Sequence, residues 1–141
     1  MTYLFDTNVV SEFRKQRAHP NVQRWIDSTR PEQHHTSVLV IGELRHGIEL
    51  KRRYDPLQAR HMDIWLEAMI SRLSGRIFPV TQRIAETWGH LGIPDPLPDV
   101  DAILAATALV HGLTLVTRDE ALLSLKAIRA INPFMYHQEQ P

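Results

Sequence analysis

Tyr3-Leu4-Phe5-Asp6-Thr7-Asn8-Val9-Val10 decides how the rest of the chain is read. Tyr3, Leu4 and Phe5 form a short apolar run of the kind found in a buried strand. Asp6 follows at once, and Val9, Val10 and Phe13 then fall at helical spacing. A strand passing directly into a helix, with an acid at the junction, points to an open α/β sheet. The acid then stands at the carboxyl edge of the strand, facing the crevice where such sheets bind ligands.

Outward from this stretch the alternation continues. Strand one is expected over residues 2–6 and a helix over 8–15, with a second helix opened by Pro20 and carried by Val22, Trp25 and Ile26. Thr36–Val38 gives a short strand. Val40, Ile41, Leu44 and Ile48 keep helical spacing through 39–50. A longer helix follows Pro56 and is closed by Gly75. Ile77, Phe78 and Val80 predict a strand that Pro79 weakens. Thr81 is an N-cap for a helix reaching Leu91. Pro94, Pro96 and Pro98 form a hinge, and a helix over 99–111 ends at Gly112. Strands at 113–117 and within 127–131 complete the set, and Tyr136–Pro141 is expected to fray. The fold class predicted is α/β: one domain over 1–141 with a central, mostly parallel sheet covered by helices on both faces.

Composition agrees and narrows the chemistry. The 141 residues are 43% hydrophobic and 23% charged, an ordinary globular balance. There is no cysteine, which excludes disulfides, thiol catalysis and Cys-based zinc sites. No apolar run approaches the ~18 residues of a membrane span. Asp6 and Glu12 come too early for a secretion signal, so a cytoplasmic location without membrane attachment is expected. Net charge is zero from 16 basic and 16 acidic residues. Arg45, Lys51, Arg52, Arg53 and Arg60 nevertheless cluster, as a solvated helix face or as a track for a phosphate backbone.

Acids carry the functional argument. Asp6 ends strand one. Glu43 interrupts an apolar helical stretch. Asp101 lies in the first turn of an Ala-rich helix whose start is Asp99, and Asp119 follows the fourth strand after Thr117. Strand ends and helix starts meet on one edge of such a sheet, so Asp6, Asp99, Asp101 and Asp119 can converge, and Glu43 joins them only if its helix runs along that edge. Clustered carboxylates repel and take up protons unless a cation sits among them. Oxygen-only donors favour Mg²⁺ or Mn²⁺ over zinc, and the chemistry suggested is metal-assisted hydrolysis of a phosphodiester. Capping is the plainer reading for Asp6, Asp99 and Asp101 taken singly, whereas Glu43 has few other uses. Thr7 and Asn8 either form a turn or hold a carboxylate and a water. The eight histidines read as surface or satisfied residues, and Trp25, Trp65 and Trp88 as core.

Leu4-Phe5-Asp6-Thr7-Asn8-Val9-Val10-Ser11-Glu12, Ile41-Gly42-Glu43-Leu44-Arg45-His46-Gly47-Ile48, Asp101-Ala102-Ile103-Leu104-Ala105-Ala106-Thr107-Ala108 and His111-Gly112-Leu113-Thr114-Leu115-Val116-Thr117-Arg118-Asp119 stand in this order along the chain. Together they resemble the signatures of PIN-domain ribonucleases, in the VapC/FitB-like toxin branch of bacterial type II toxin–antitoxin pairs. The resemblance implies a five-stranded parallel sheet sandwiched by helices and a Mg²⁺- or Mn²⁺-dependent endoribonuclease. It also implies a homodimer, within a higher assembly, inhibited by a small DNA-binding antitoxin. It assigns catalytic metal binding to Asp6, Glu43, Asp101 and Asp119, with Thr7, Asn8 and Thr117 beside them. Asp99 is an extra acid relative to many such proteins, so the division of roles between Asp99 and Asp101 stays open. Arg45, Arg52 and Arg53 are the candidates for guiding an RNA backbone.

Two rivals remain at this level. An aspartyl-phosphate phosphatase would carry a second acid two residues after the first, where this chain has Asn8. A binding module with a decayed site would have lost acids, and all four are present. No residue visibly reads a base, so the sequence does not name the RNA.

Overall fold

Ser37 ends a strand and caps the next helix with no residue between, its hydroxyl accepting the Leu39 N–H at 3.1 Å. The same economy governs the rest of the fold, which the computed structural model describes for residues 1–91 and 96–137. In chain order the elements are β1 (Tyr3–Phe5), α1 (Thr7–Glu12), α2 (Pro20–Asp27), β2 (His34–Ser37), α3 (Val38–Arg52), α4 (Pro56–Arg72), β3 (Ile77–Phe78), α5 (Gln82–His90), α6 (Asp99–His111), β4 (Thr114–Val116), α7 (Glu120–Leu123) and β5 (Arg129–Ile131). Short 3-10 turns lie at Pro31–Gln33 and Pro133–Met135.

The strands form one five-stranded sheet in the order β3-β2-β1-β4-β5, and every pairing is parallel. Leu4 stands opposite both His35 and Leu115, so β1 is the centre. Successive side chains of a strand point to opposite faces. Leu4 and Phe5 are both buried, as are Leu115 and Val116, so both faces are covered, as the apolar runs predict. The order reverses beside β1. A crevice therefore opens outside the carboxyl ends of β1 and β4, the position at which such sheets take ligands.

Helix ends follow local chemistry. Pro20 and Pro56 occupy first turns, where a missing N–H costs nothing. Asp55 caps α4 by accepting the Gln58 N–H at 3.0 Å, and Thr81 caps α5 by accepting the Ile84 N–H at 3.2 Å. Gly112 closes α6 at φ 65°, a left-handed turn that leads straight into β4. Alanine-rich α6 is buried at Ala102, Leu104, Ala105, Ala106, Thr107 and Ala108, and its small side chains let it lie deep in the core.

The structure corrects several expectations. β2 begins at His34, and Val38 is already helical. α1 stops at Glu12, because Phe13, Arg14 and Lys15 donate to carbonyls three residues back and tighten the chain into turns. α7 is a helix beyond those expected from the sequence. Trp88 is 37% exposed rather than core, whereas Trp25 is buried and Trp65 half-buried. Pro94 of the expected hinge and residues 138–141 of the expected frayed end lie outside the described residues. Among the described residues no helix is long and apolar enough to cross a membrane.

Candidate functional site

Asp6, Thr7, Asn8, Glu43, Asp101, Leu104 and Asp119 line one cleft of about 170 Å³ at the crevice beside β1. Four elements converge there. Asp6 leaves β1, and its backbone N–H bonds the Val116 carbonyl of β4 at 3.2 Å. Glu43 comes from α3 and Asp101 from the first turn of α6. Asp119 is the N-cap of α7. No Lys or Arg is among the residues lining the cleft.

Asp6 is 6% exposed and doubly held. Its Oδ1 accepts the Val9 N–H at 3.0 Å, and its Oδ2 accepts the Thr117 hydroxyl at 2.6 Å. Asp6 thus caps α1 and lines the cleft with the same side chain. Burial pushes its carboxyl above the ordinary carboxylate range. The bonds from Thr117 and Val9 pull it back, and the charges of Asp119 and Glu43 push it up again. Asp101 is raised as well, by burial first and then by Asp119, Asp6 and Glu43. Those shifts put Glu43 and Asp119 within electrostatic reach of both Asp6 and Asp101.

The remaining oxygens are also oriented. Thr7 donates its hydroxyl to Glu43 Oε1 at 2.5 Å, bridging α1 and α3. Thr117 Oγ1 accepts the Asp119 N–H at 3.0 Å, and Asp119 Oδ1 accepts from Ala121 and Leu122. Among the described residues no three His, Asp or Glu side chains are drawn tightly enough to enclose an ion by themselves. An oxygen-only set of this kind suits a hard cation that keeps several waters, which needs only one or two carboxylates and no protein cage.

The other sequence candidates fall outside the cleft. Asp99 is exposed in the first turn of α6 and is not among the cleft walls, so it complements the helix dipole. Arg45 and Arg52 do not reach the acids. Both bond Asp63 Oδ1 on α4, at 2.6 and 2.7 Å, and both pair with Glu49. Arg53 is the exposed C-cap of α3. Leu104 is the cleft residue that sequence reasoning missed. Its signal was available, since it lies three residues after Asp101 on the same helical face.

The sequence profile described as PIN domain matches residues 3–128. Plasmid stability protein StbB of Pseudomonas syringae pv. tomato is 30% identical over 135 residues, covering 93% of this chain and 97% of that protein. Toxin FitB of Neisseria gonorrhoeae is 27% identical over 136 residues, covering 93% and 97%. Ribonuclease VapC14 of Mycobacterium tuberculosis is 36% identical over 73 residues, covering 52% and 71%. The crystal structure of FitAcB from Neisseria gonorrhoeae superposes with a TM-score of 0.81 at 26% identity, covering 95% of this chain and 99% of that one. A toxin-antitoxin complex from Klebsiella pneumoniae does so at 0.68 and 25%, covering 94% and 98%. With the profile running through every element that supplies a cleft residue, this chain belongs to the PIN-domain family.

Proposed function

We propose that the chain is a Mg²⁺- or Mn²⁺-dependent endoribonuclease and the toxin member of a toxin–antitoxin pair. The observation that carries the reading is the cleft in which Asp6, Glu43, Asp101 and Asp119 face one another with no basic side chain among its walls. That arrangement holds together against repulsion only if a cation joins it or protons do. A bound divalent ion would make a water more acidic and offset charge on a phosphoryl oxygen. The protein's share is orientation. Thr117 and the Val9 N–H fix the Asp6 carboxylate, and Thr7 fixes that of Glu43, so little reorganisation is left for the reacting state. Asn8 adds an amide at the rim that can hold a water.

Ribonuclease VapC14 aligns with half of this chain, and a Klebsiella pneumoniae structure of the same fold is a toxin-antitoxin complex. FitAB, a structural neighbour with a TM-score of 0.80, was solved bound to a DNA fragment. The reading extends to a small DNA-binding antitoxin as partner, a homodimer within a larger assembly and a cytoplasmic site of action. An antitoxin Arg entering the cleft would pair with the carboxylates and exclude the metal.

Incubation with total cellular RNA in Mg²⁺ tests the reading, with Asp6→Asn as control. Discrete cleavage products that vanish in the variant and on chelation are expected. Intact RNA under every divalent ion, or equal cleavage by Asp6→Asn, overturns it. A covalent phosphate on Asp6 would favour the phosphatase instead.

A further inference from the structure

The carboxylate cleft does not end at Glu43. Thr7 and Glu43 also line a second, larger groove of about 490 Å³ that runs between α1, α3 and the start of α4. Its other walls include Ser11, Arg14, Gly47, Lys51 and Gln58. Arg14 and Lys51 are both exposed, and among the described residues neither is in an ion pair. They contrast with Arg45 and Arg52, whose charge is spent on Glu49 and Asp63. Asp55, the groove's second acid, is occupied as the cap of α4.

We infer that this groove carries the RNA backbone into the acidic cleft, with Arg14 and Lys51 as its phosphate contacts. The inference rests on the nuclease reading of the adjoining site. A polyanion approaching four carboxylates is repelled, so free cations must stand beside the cleft rather than in it. Arg14 and Lys51 are placed in that way, on two different helical segments facing one groove. Ser11 and Gln58 add neutral hydrogen-bonding groups that accept or donate to sugar and phosphate oxygens. The volume lies within the ~300–1,000 Å³ usual for ligand-sized sites. Gly47 keeps the wall low. A Cβ built there meets no atom within 4 Å, so packing at that atom does not require glycine.

The test is binding of a short fluorescein-labelled single-stranded RNA, by anisotropy across a salt titration. Every protein carries Asp6→Asn so that the RNA stays intact, and Mg²⁺ is present. Arg14→Gln/Lys51→Gln should weaken binding roughly tenfold at low salt. It should also flatten the dependence of log K on log salt by about 1.4, the value for two lost single-strand phosphate contacts. Arg14→Lys/Lys51→Arg should restore most of both. Gly47→Leu adds bulk to the groove wall without changing charge, at a position where a Cβ meets no atom within 4 Å, and should weaken binding and flatten the slope in the same way. Unchanged affinity and slope in both the charge variant and Gly47→Leu, while the protein with native Asp6 still cleaves RNA, overturns the groove and spares the nuclease reading. Loss of a co-purifying protein with RNA binding intact makes the groove a protein seat and also overturns the inference. An unmutated chain that neither binds nor cleaves RNA ends both readings.

Discussion

Thr117 donates its hydroxyl to Asp6 across 2.6 Å, joining the exits of two neighbouring strands from positions 111 residues apart in the chain. The same oxygen receives the Asp119 N–H, so one side chain aligns two of the four acids. Thr117→Val keeps the shape and removes both bonds. Stability should fall by about 1–3 kcal/mol, because buried polar groups lose their partner, and RNA cleavage should drop far more than folding does. Thr117→Ser should recover both. Thermal unfolding beside cleavage assays decides it, and a Val variant as active as the parent would refute the orienting role.

Asp101 is pushed up by burial and by three neighbouring carboxylates, and among the described residues no hydrogen bond offsets them. Asp101→Asn should therefore raise the melting temperature in chelator, since one repelling charge is gone. The rise in melting temperature produced by Mg²⁺ should shrink in the same variant, because that rise reports ligand binding to the folded state. Calorimetry with and without Mg²⁺ measures both, and an undiminished Mg²⁺ effect would count against Asp101 as a metal contact.

His34 provides a pH dependence remote from the acids. It is half-buried, shares a 2.6 Å hydrogen bond with Thr29, and stacks near Phe5 and Trp25. Burial lowers its proton affinity, and the charges of Arg76 and His35 lower it further, outweighing Glu32. The unfolded chain thus binds the proton more readily, so stability is complete above the ordinary imidazole value of ~6.5 and is lost as pH falls below it. Melting temperature should decline from pH 7.5 toward pH 5, about the range over which imidazoles titrate. His111 shifts in the same direction. His34→Gln should flatten the decline without abolishing it, and an unaltered slope would rule out His34 as its source.

Gly112 holds φ 65° at the turn from α6 into β4, which places Thr117 and Asp119. Gly112→Ala meets no neighbouring atom, so only backbone strain should register, about 1–2 kcal/mol by denaturant unfolding. Gly47→Ala, inside a helix at an ordinary dihedral, should instead be neutral or stabilising.

Asp63 receives both Arg45 and Arg52, tying α3 to α4 at an exposed surface. Asp63→Asn should lower the melting temperature in dilute buffer and lose that difference in high salt, where exposed charges are screened. An equal loss at all ionic strengths would mean packing rather than charge.

Much of this was legible in the sequence because it is local. Strand one passing into an acid, prolines at first helical positions, Thr81 as a cap and Gly112 as a stop are each written within a few residues. The convergence of Asp6, Asp101 and Asp119 was legible because parallel sheets put strand exits and helix starts on one edge, whereas Glu43 joins them only through the course of α3, which the sequence left open. Four-residue α7 was not, since it is too short to show a period and Asp119 reads equally well as loop or cap. The occupation of Arg45 and Arg52 depends on where α4 lies, which no pattern within α3 reveals. β2 hid its start because His34 and His35 do not resemble a strand until Phe5 and Phe78 are packed against them.

The pairing of Leu4 with Leu115 has a consequence in time. A chain made from its amino terminus holds the central strand before the other four, yet that strand's second neighbour arrives only more than a hundred residues later. Closing so long a loop is entropically demanding and slow. Asp6 therefore waits, without Thr117 or Asp119, until β4 and the residues just after it have been made. Whatever the cleft does, no growing chain can do it before that segment has emerged and paired with β1.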